Sequence, residues 1–357
     1  MSTVISALAP LPPSVWLRRP ADRLPFPLSE PGCRLFERAR HALFRALTDL
    51  VEPGGEILAP AFHHGSEIEA FERAGLVCRF YEATDTLAPD EAELESLLTE
   101  RTRVLHLVHY LGFPQDAARW RRWCDERGLL LVEDAAQAWL STVGGEPVGR
   151  TGDLAVWCLY KTFGLPDGAA LLARTPTNGA LAGAKRGLFR LGLEHALWLA
   201  TRTRSAAWVS DRRAARLGTI EYTMGLGDPK PPSAGTLAVL QRVVDPGAAE
   251  RRRANYRRYL ELLPDLVASP FAELPDGASP FMFPAVFQDK PRALERLRWQ
   301  RVRALNFWSA PHPSLPMERF PRTMELRRTV VGLPVHQELR PRDVDHVARV
   351  VRATLQG

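Results

Sequence analysis

Between about residues 35 and 175, short apolar runs alternate with stretches of helical periodicity. Alternation of this kind is typical of βαβ units and predicts a mostly parallel sheet. Continuous apolar runs such as Leu129-Leu130-Leu131-Val132 fit that sheet, because parallel strands are buried on both faces. The predicted strands are residues 56–62, 77–82, 104–110, 129–133, 154–160 and 169–173, with helices at residues 66–74, 90–98 and 116–127 between them.

The rest of the chain predicts a second, smaller unit. A long helical stretch covers residues 234–263 and is interrupted near Pro246-Gly247. After it the pattern predicts an α+β segment, with a strand at residues 281–287 and helices at residues 292–303 and 340–355. The 357 residues are enough for two domains. We therefore predict an N-terminal segment over residues 1–29, a large domain over 30–245 and a small domain over 246–357.

Composition narrows the class of protein. No apolar run approaches the length of a membrane span, and the N-terminus lacks the basic start of a signal peptide. The four cysteines lack metal-ligand spacing and are expected to be reduced thiols in a cytoplasmic protein. The net charge is +6, but the arginines are spread along the chain apart from a concentration at residues 186–216, so nucleic-acid binding is not expected.

Lysine is scarce. Of 47 basic residues only Lys161, Lys185, Lys230 and Lys290 are lysines. Lys161 directly follows an apolar strand, and ligands of parallel sheets bind at the carboxyl ends of the strands. A lysine at a strand end is usually a solvated surface residue, so its position alone leaves its role open.

Two adjacent acids, Glu133 and Asp134, end another predicted strand and precede Ala135-Ala136-Gln137. One interpretation is structural, because aspartate is a good N-cap for a following helix. The other is a functional carboxylate at the sheet edge. Further along, Gly152-Asp153 opens the strand that leads through Cys158, Leu159 and Tyr160 to Lys161.

These elements resemble the DegT/StrS family of PLP-dependent sugar aminotransferases. In that family a strand ends in E-D-A-A-Q/H, a G-D turn follows, and a Ser-containing strand leads to the lysine that carries the cofactor. The resemblance extends over about residues 30–355. Matching stretches are residues 53–62 (P-G-G-E-I-L-A-P-A-F), 101–114 (R-T-R-V-L-H-L-V-H-Y-L-G-F-P), and 333–336 (L-P-V-H) with 340–351.

The resemblance implies the fold and the roles of three residues. The fold is a three-layer α/β PLP-transferase fold with a mostly parallel central sheet and a smaller C-terminal α+β domain. Asp134 is implied to keep the nitrogen of the pyridoxal 5′-phosphate ring protonated, and Gln137 to bind the phenolic oxygen of the ring. Lys161 is implied to hold the cofactor and to act as the general acid–base.

The rest of the cofactor site is also implied, with substitutions. The family binds phosphate with a Ser-Gly-Thr turn at a helix N-terminus, and here the matching residues include Ala39 and Arg40, whose guanidinium can replace the lost turn. An exposed arginine at a helix start is the other interpretation of Arg40. Cys158 stands in place of the phosphate-binding serine, and His64 matches the residue that stacks on the ring. A metal at His63-His64 is not expected, because no ligand set completes the site.

Two further departures leave the substrate class open. The segment from Lys161 to Gly168 is shorter than in the family, and the Asn-Tyr-Arg motif that reaches the partner subunit's site reads Glu221-Tyr222-Thr223. The leading hypothesis is an aminotransferase that moves an amino group from an amino-acid donor, glutamate, to a keto-sugar nucleotide in surface polysaccharide or secondary-metabolite biosynthesis. The retained Lys161 disfavours the sugar dehydratases of this fold, which have histidine there. The resemblance also implies a homodimer.

Two alternatives remain. One is a non-catalytic relative that keeps the fold as a binding or partner protein, which the altered phosphate turn motivates. The other places the basic, apolar stretch at residues 185–216 on an acidic membrane surface; a helix pair covering the core is the ordinary interpretation of such a stretch.

Overall fold

A computed structural model describes residues 4–175, 188–200 and 227–355. Its centre is a seven-stranded sheet, in the spatial order β2-β10-β9-β6-β5-β3-β4. All neighbouring strands in this sheet are parallel except β10, which is antiparallel to both β2 and β9. The strands are β2 (Arg34–Phe36), β3 (Glu56–Pro60), β4 (Val77–Tyr81), β5 (Thr102–Val108), β6 (Leu130–Asp134), β9 (Leu154–Cys158) and β10 (Ala169–Ala173).

Helices cover both faces of this sheet and give three layers. One face is buried under α1 (Ala39–Leu50) and α2 (Ser66–Arg73), which pack on alternate residues of the strands such as Val104, Val132 and Val156. The opposite face is buried under the helices α3 (Glu91–Leu97), α4 (Ala117–Asp125), α6 (Leu188–Ala200) and α7 (Ala234–Val243). Asp90, Asp116 and Ser233 cap α3, α4 and α7 with side-chain hydrogen bonds.

The C-terminal part forms a second core around an antiparallel pair of strands, β11 (Met282–Val286) and β13 (Val330–Pro334). This core also contains Phe62, Val108, Tyr110 and Leu111, which follow or end strands of the large sheet. The C-terminal part therefore packs against the edge where the parallel strands end. Its helices are α8 (Ala248–Leu262), α9 (Lys290–Trp299), α10 (Pro321–Thr329) and α11 (Pro341–Leu355).

The N-terminal segment joins both parts of the molecule. Strand β1 (Ile5–Ser6) pairs in parallel with β12 (Val302–Arg303), and the side chains of Leu11 and Val15 pack into the core of the large sheet beside α7. Elsewhere, β7 (Thr142–Val143) and β8 (Glu146–Pro147) form a short antiparallel hairpin. The division at residues 245–246 stays a prediction.

Most predicted strands are confirmed to within a few residues, and the exceptions have physical causes. The strand predicted to run to Tyr160 ends at Cys158, and a helical turn, α5 (Leu159–Thr162), follows it. The helix predicted over 292–303 ends at Trp299, because Arg301 takes a left-handed φ of 62° that breaks the helix before β12. In the described ranges, no helix is long and apolar enough to cross a membrane. The four cysteines are free thiols.

Candidate active site

The pairing register brings the polar strand ends together. Asp134 at the end of β6 lies opposite Val108 on one side and Val156 on the other. Cys158, at the end of β9, pairs with Ala169 of β10, and Ala169 pairs with Phe36 of β2, just before α1 begins. The carboxyl ends of β2, β5, β6 and β9 thus meet at one edge, where α/β sheets bind ligands.

Asp134 is a buried carboxylate on the sheet face that α1 and α2 cover. One oxygen, Oδ1, accepts a hydrogen bond from the Ala136 amide at 2.9 Å, and Oδ2 lies 3.4 Å from His106 Nε2. Burial raises the pKa of Asp134, but the hydrogen bond and charge of His106, the Ala136 amide and the charge of Lys161 outweigh burial, so its pKa lies below the ordinary value. Asp134 is therefore an anion close to Lys161.

Glu133 points to the opposite face and is held by the protein itself. His109 Nε2 lies 3.0 Å from Oε2, which also accepts from the Gly149 amide, while Oε1 accepts from the amides of Thr151 and Gly152. The Gln115 amide donates to His109 Nδ1, so the neutral ring carries its proton on Nε2 and donates to Glu133. This acid is structural, because it fixes the loop that leads into β9.

Gln137 has a fixed orientation beside the same edge. The Leu111 amide donates to its Oε1 at 2.8 Å, which leaves the NH₂ end of the side chain as its donor group. Leu111 has a left-handed φ of 54°. Gly112 follows with a φ of +85°, and a Cβ there would lie 2.0 Å from the Ser279 carbonyl oxygen. This tight loop needs glycine, and it presents the amide that holds Gln137.

Lys161 lies in the one-turn helix α5 rather than on a strand, and it is partly buried. Hydrogen bonds hold both ends of the turn: the Leu159 amide donates to Gly168 O at 2.9 Å, and the Phe163 amide donates to Leu159 O at 3.0 Å. The carbonyl of Thr162 accepts from Arg252 Nη2 at 2.6 Å and from Gln337 Nε2 at 3.1 Å. The turn is thus fixed from the large sheet and from the C-terminal part.

The short segment after Lys161 is anchored by a buried acid. Asp167 Oδ1 accepts from the Ser233 amide at 2.9 Å and from Thr236 Oγ1 at 2.8 Å, at the start of α7. The residue after it, Gly168, donates its amide to Glu37 O just before α1. These bonds fix the segment that returns the chain from the Lys161 turn to β10.

The N-terminus of α1 faces the same edge. Its N-cap residue is Arg38, which makes no side-chain capping bond. Ala39 and Arg40 are the first helical residues, so their amides lie at the N-terminal end of α1. The Arg38 guanidinium lies 4.9 Å from the centre of the Tyr160 ring, next to Lys161. The helix start and its arginines provide positive potential beside Cys158 and Lys161.

His64 follows β3 at the same edge, two strands away from β6. Its Nδ1 lies 3.1 Å from Ser66 Oγ, and its ring lies 6.3 Å from the Trp308 ring, edge-on. Its amide donates to Glu67 Oε1. These contacts place His64 at the start of α2 and give no stacking geometry, so stacking of this ring on a ligand stays a prediction. Within the described ranges, no group of His, Cys, Asp and Glu is arranged as a metal site.

The other two lysines that the structure describes, Lys230 and Lys290, lie elsewhere. Lys230 is exposed, and Lys290 is buried at the start of α9, where Nζ donates to the carbonyls of Phe307 and Arg327. Burial lowers the pKa of Lys290 to about 7. Lys185, residues 221–223 and most of the stretch 185–216 lie outside the described residues. Lys161 is thus the described lysine at the strand edge beside Asp134.

Sequence reasoning missed three contributors to this site: His106, Arg252 and Gln337. His106 stands among the apolar residues of β5, where its position two residues before Val108 places it on the Asp134 face. That alternation is the signal that identifies it. Arg252 and Gln337 are distant in sequence, and no local pattern indicates their contact with Thr162.

The chain resembles known aminotransferases. A family model described as the DegT/DnrJ/EryC1/StrS aminotransferase family matches residues 37–198. The dTDP-4-dehydro-2,3,6-trideoxy-D-glucose 4-aminotransferase of Saccharopolyspora spinosa is 27% identical over 83% of this chain and 77% of its own length. The dTDP-3-amino-3,4,6-trideoxy-alpha-D-glucose transaminase of Streptomyces venezuelae is 33% identical over 38% of this chain and 37% of its own length.

A solved structure shows the same fold. The putative sugar aminotransferase of Streptococcus pneumoniae, in its PLP form, superposes with a TM-score of 0.64 at 18% identity, over 91% of this chain and 87% of that one. The matched region 37–198 contains Asp134, Gln137 and Lys161 and the start of α1. Residues 37–198 of this chain thus match the DegT/DnrJ/EryC1/StrS aminotransferase family model, and the chain shares its fold with the solved sugar aminotransferase structure.

Proposed function

We propose that this protein is a PLP-dependent aminotransferase that moves an amino group from an amino-acid donor, glutamate, to a keto-sugar nucleotide. The observation that carries the proposal is the buried, ionised Asp134 beside Lys161 at the carboxyl edge of the sheet. An anion held in that place suits a cationic ring nitrogen, and an amine beside it suits covalent attachment of an aldehyde.

The residues present fit the cofactor. Among the described residues, the hydrogen-bond contact of Asp134 Oδ2 is His106 Nε2 at 3.4 Å, and a carboxylate oxygen can accept a further bond from a ring N–H. The uncapped start of α1, with Ala39, Arg40 and Cys158, provides a place for a phosphate. The NH₂ group of Gln137 is a donor for the phenolic oxygen. The guanidinium of Arg38, 4.9 Å from the centre of the Tyr160 ring, adds positive charge near this helix start.

When bound, PLP acts as an electron sink for the carbanion that forms when an amino acid loses its α-proton. The chain supplies the rest. Lys161 would hold the cofactor, and its amine would serve as the general base toward the α-proton of the donor. Asp134 favours the protonated ring nitrogen, and His106 holds the carboxylate in place. The C-terminal part packs on this edge through a core that includes Phe62, Val108 and Tyr110.

The relatives support the substrate class. The similar enzyme of Saccharopolyspora spinosa acts on a dTDP-linked keto-sugar, as its name states. The spore coat polysaccharide biosynthesis protein SpsC of Bacillus subtilis is 25% identical over 88% of this chain. We accordingly place the reaction in surface polysaccharide or secondary-metabolite biosynthesis, and we propose a homodimer, which light scattering of the purified protein tests.

The decisive experiment is the visible absorption spectrum of the purified protein with PLP, before and after glutamate. We expect the band of lysine-bound PLP in the wild type, loss of the band on adding glutamate, and release of 2-oxoglutarate. Lys161→Ala removes the band, whereas the matched control Lys230→Ala, at an exposed lysine, retains it. A band that no amino donor changes would instead support the non-catalytic relative, and the absence of a band would overturn the cofactor assignment.

A second experiment tests the acceptor. The PLP-loaded protein is incubated with glutamate and with dTDP-, UDP- or GDP-linked keto-sugars, and mass spectrometry detects the amino-sugar nucleotide. Product from at least one nucleotide sugar is expected. Transamination of simple 2-oxo acids alone would contradict the substrate class and leave the aminotransferase reaction intact.

A further inference from the structure

Arg252 of α8 is a buried arginine whose hydrogen bonds all go to neutral acceptors. Its side chain is 2% exposed. Nη2 donates to Thr162 O at 2.6 Å, Nη1 to Pro280 O at 2.9 Å, and Nε to Gln337 Oε1 at 2.9 Å. Its described surroundings contain no carboxylate partner, and burial lowers the pKa of its guanidinium to about 9. A buried cation without an anion is costly, so packing alone does not account for it.

The acceptors of Arg252 lie on three separate stretches of chain. Thr162 ends the turn that carries Lys161. Pro280 precedes Phe281, whose amide donates to Leu111 O at 2.7 Å, and the Leu111 amide in turn holds Gln137. A continuous path of hydrogen bonds therefore runs from the Lys161 turn through Arg252 to the loop that orients Gln137.

Gln337 reinforces the same contact. Its Oε1 accepts from Arg252 Nε, and its Nε2 donates to Thr162 O at 3.1 Å. Arg252 and Gln337 are thus bonded to each other and to the same carbonyl oxygen. The neighbouring backbone is itself fixed, because Asn255 Nδ2 donates to the carbonyls of Val335 and His336 at 3.2 Å. Thr162 O thus receives two donors from rigid elements of the C-terminal part.

We propose that Arg252, with Gln337, is a positioning residue that fixes the Lys161 turn relative to the Gln137 loop. The role of Lys161 rests on the proposed function, whereas the hydrogen bonds that connect its turn to the Gln137 loop do not depend on that function. A guanidinium suits this task because its planar fork reaches three acceptors at fixed angles, which an ammonium cannot do. Small displacements of a reacting amine cost rate even when binding is unchanged.

The matched control is the next residue on the same helix. Arg253 is also buried and also donates to main-chain carbonyls, those of Pro275 and Ala278, but the described structure gives it no bond to the Lys161 turn. Arg252→Met and Arg253→Met each remove a buried guanidinium from α8. A general loss of packing affects both variants, whereas a positioning role separates them.

The first measurement is amide hydrogen exchange on the PLP-free protein, in a peptide covering residues 159–165. We expect Arg252→Met to raise the exchange rate of this peptide by about tenfold or more, Gln337→Leu to raise it less, and Arg253→Met to leave it unchanged. Arg252→Lys should restore part of the protection. Equal exchange in the Arg252→Met and Arg253→Met variants would overturn the proposal. If Arg252→Met does not fold, Arg252→Lys and Gln337→Leu provide the same comparison.

The second measurement is steady-state kinetics of the PLP-loaded enzyme. Arg252→Lys is expected to lower kcat by roughly tenfold to a hundredfold with little change in KM for the donor, while Arg253→Lys changes neither. Unaltered kcat in Arg252→Lys, despite faster exchange of the turn, would refute a role in positioning Lys161. A wild type that binds no PLP would refute the proposed function and leave the exchange result standing, so the two failures are distinguishable.

Discussion

Glu133 and Asp134 are neighbours on β6, yet the two faces of the sheet surround them differently. On the Glu133 face, His109 and three loop amides satisfy the carboxylate. On the Asp134 face, His106 and the Ala136 amide bind it, and Lys161 lies near. Glu133 is therefore a structural acid that fixes a loop, whereas Asp134 retains acceptor capacity for a ligand. The two acids are adjacent in sequence, and the number of hydrogen-bond donors around each carboxylate is what distinguishes them.

The residues opposite Glu133 and Asp134 on the neighbouring strands also lie on different faces of the sheet. Leu107 and Ala155 lie opposite Glu133, whereas Val108 and Val156 lie opposite Asp134. His109 comes two residues after Leu107, and Cys158 comes two residues after Val156. Because side chains alternate along a strand, His109 lies on the Glu133 face and Cys158 lies on the Asp134 face. Changes on one face should therefore alter folding, and changes on the other should alter ligand chemistry.

The largest expected effect is on catalysis. Asp134→Asn removes the anion that favours the protonated ring nitrogen, and we expect kcat to fall roughly 10²- to 10³-fold. The free energy of unfolding of the PLP-free protein should change little, because asparagine retains an acceptor oxygen for the Ala136 amide. Half-reaction kinetics with glutamate and urea unfolding test this. Activity within a few-fold of wild type would show that Asp134 is not the ligand acid.

Glu133→Gln should give the reverse result. The amide NH₂ of glutamine faces loop amides that are themselves donors, so at least one buried donor loses its acceptor. We expect a loss of about 2–4 kcal/mol in the free energy of unfolding, with kcat per folded molecule within about twofold of wild type. Urea unfolding and active-site-normalised rates measure the two effects. A large fall in kcat without loss of stability would break the comparison.

The contribution of Glu133 to folding should also appear in how the free energy of unfolding depends on pH. Burial raises the pKa of Glu133, but the hydrogen bond from His109 and those from the amides of Gly152 and Gly149 outweigh burial, so its pKa lies below the ordinary value. Its stabilisation is thus present above the unfolded pKa of about 4.3 and is lost as pH falls through the folded value.

In Glu133→Gln, the acid limb of unfolding free energy against pH should be shallower by up to about 1.4 kcal/mol per pH unit. Denaturant unfolding between about pH 5 and pH 2.5 measures the slope. A limb as steep as that of the wild type would mean that other carboxylates govern acid unfolding.

The smallest expected effect concerns Cys158 on the Asp134 face. Cys158→Ser replaces a weak thiol donor with a hydroxyl where the family has serine, and we expect PLP to bind about threefold more tightly. Thermal stability of the PLP-free protein should stay within a few degrees. Fluorescence titration with PLP tests the affinity, and Cys124→Ser, at a buried cysteine packed under the opposite face, is the control. Equal effects of both substitutions would remove Cys158 from the phosphate cup.

The large sheet was predictable because its strands are continuously apolar, and their ends placed Asp134 and Lys161 at one edge. The turn at Lys161 was not, since Leu159 and Tyr160 extend the apolar run of β9 into what is a helix. A run of three arginines such as Arg251-Arg252-Arg253 is usually solvated, yet Arg252 and Arg253 are buried and donate to carbonyls from distant loops. Long-range contacts of this kind leave no periodicity in the sequence.

The pairing of β1 with β12 has a consequence for synthesis of the chain. Ile5 pairs with Val302, so at about 5–20 residues per second roughly 15–60 s separate translation of the two residues. Throughout that interval β1 has no partner, whereas all seven strands of the large sheet, which ends at Ala173, are translated within it. The order of synthesis thus makes the C-terminal core, which packs on the Lys161 edge, complete only after the large sheet has been translated.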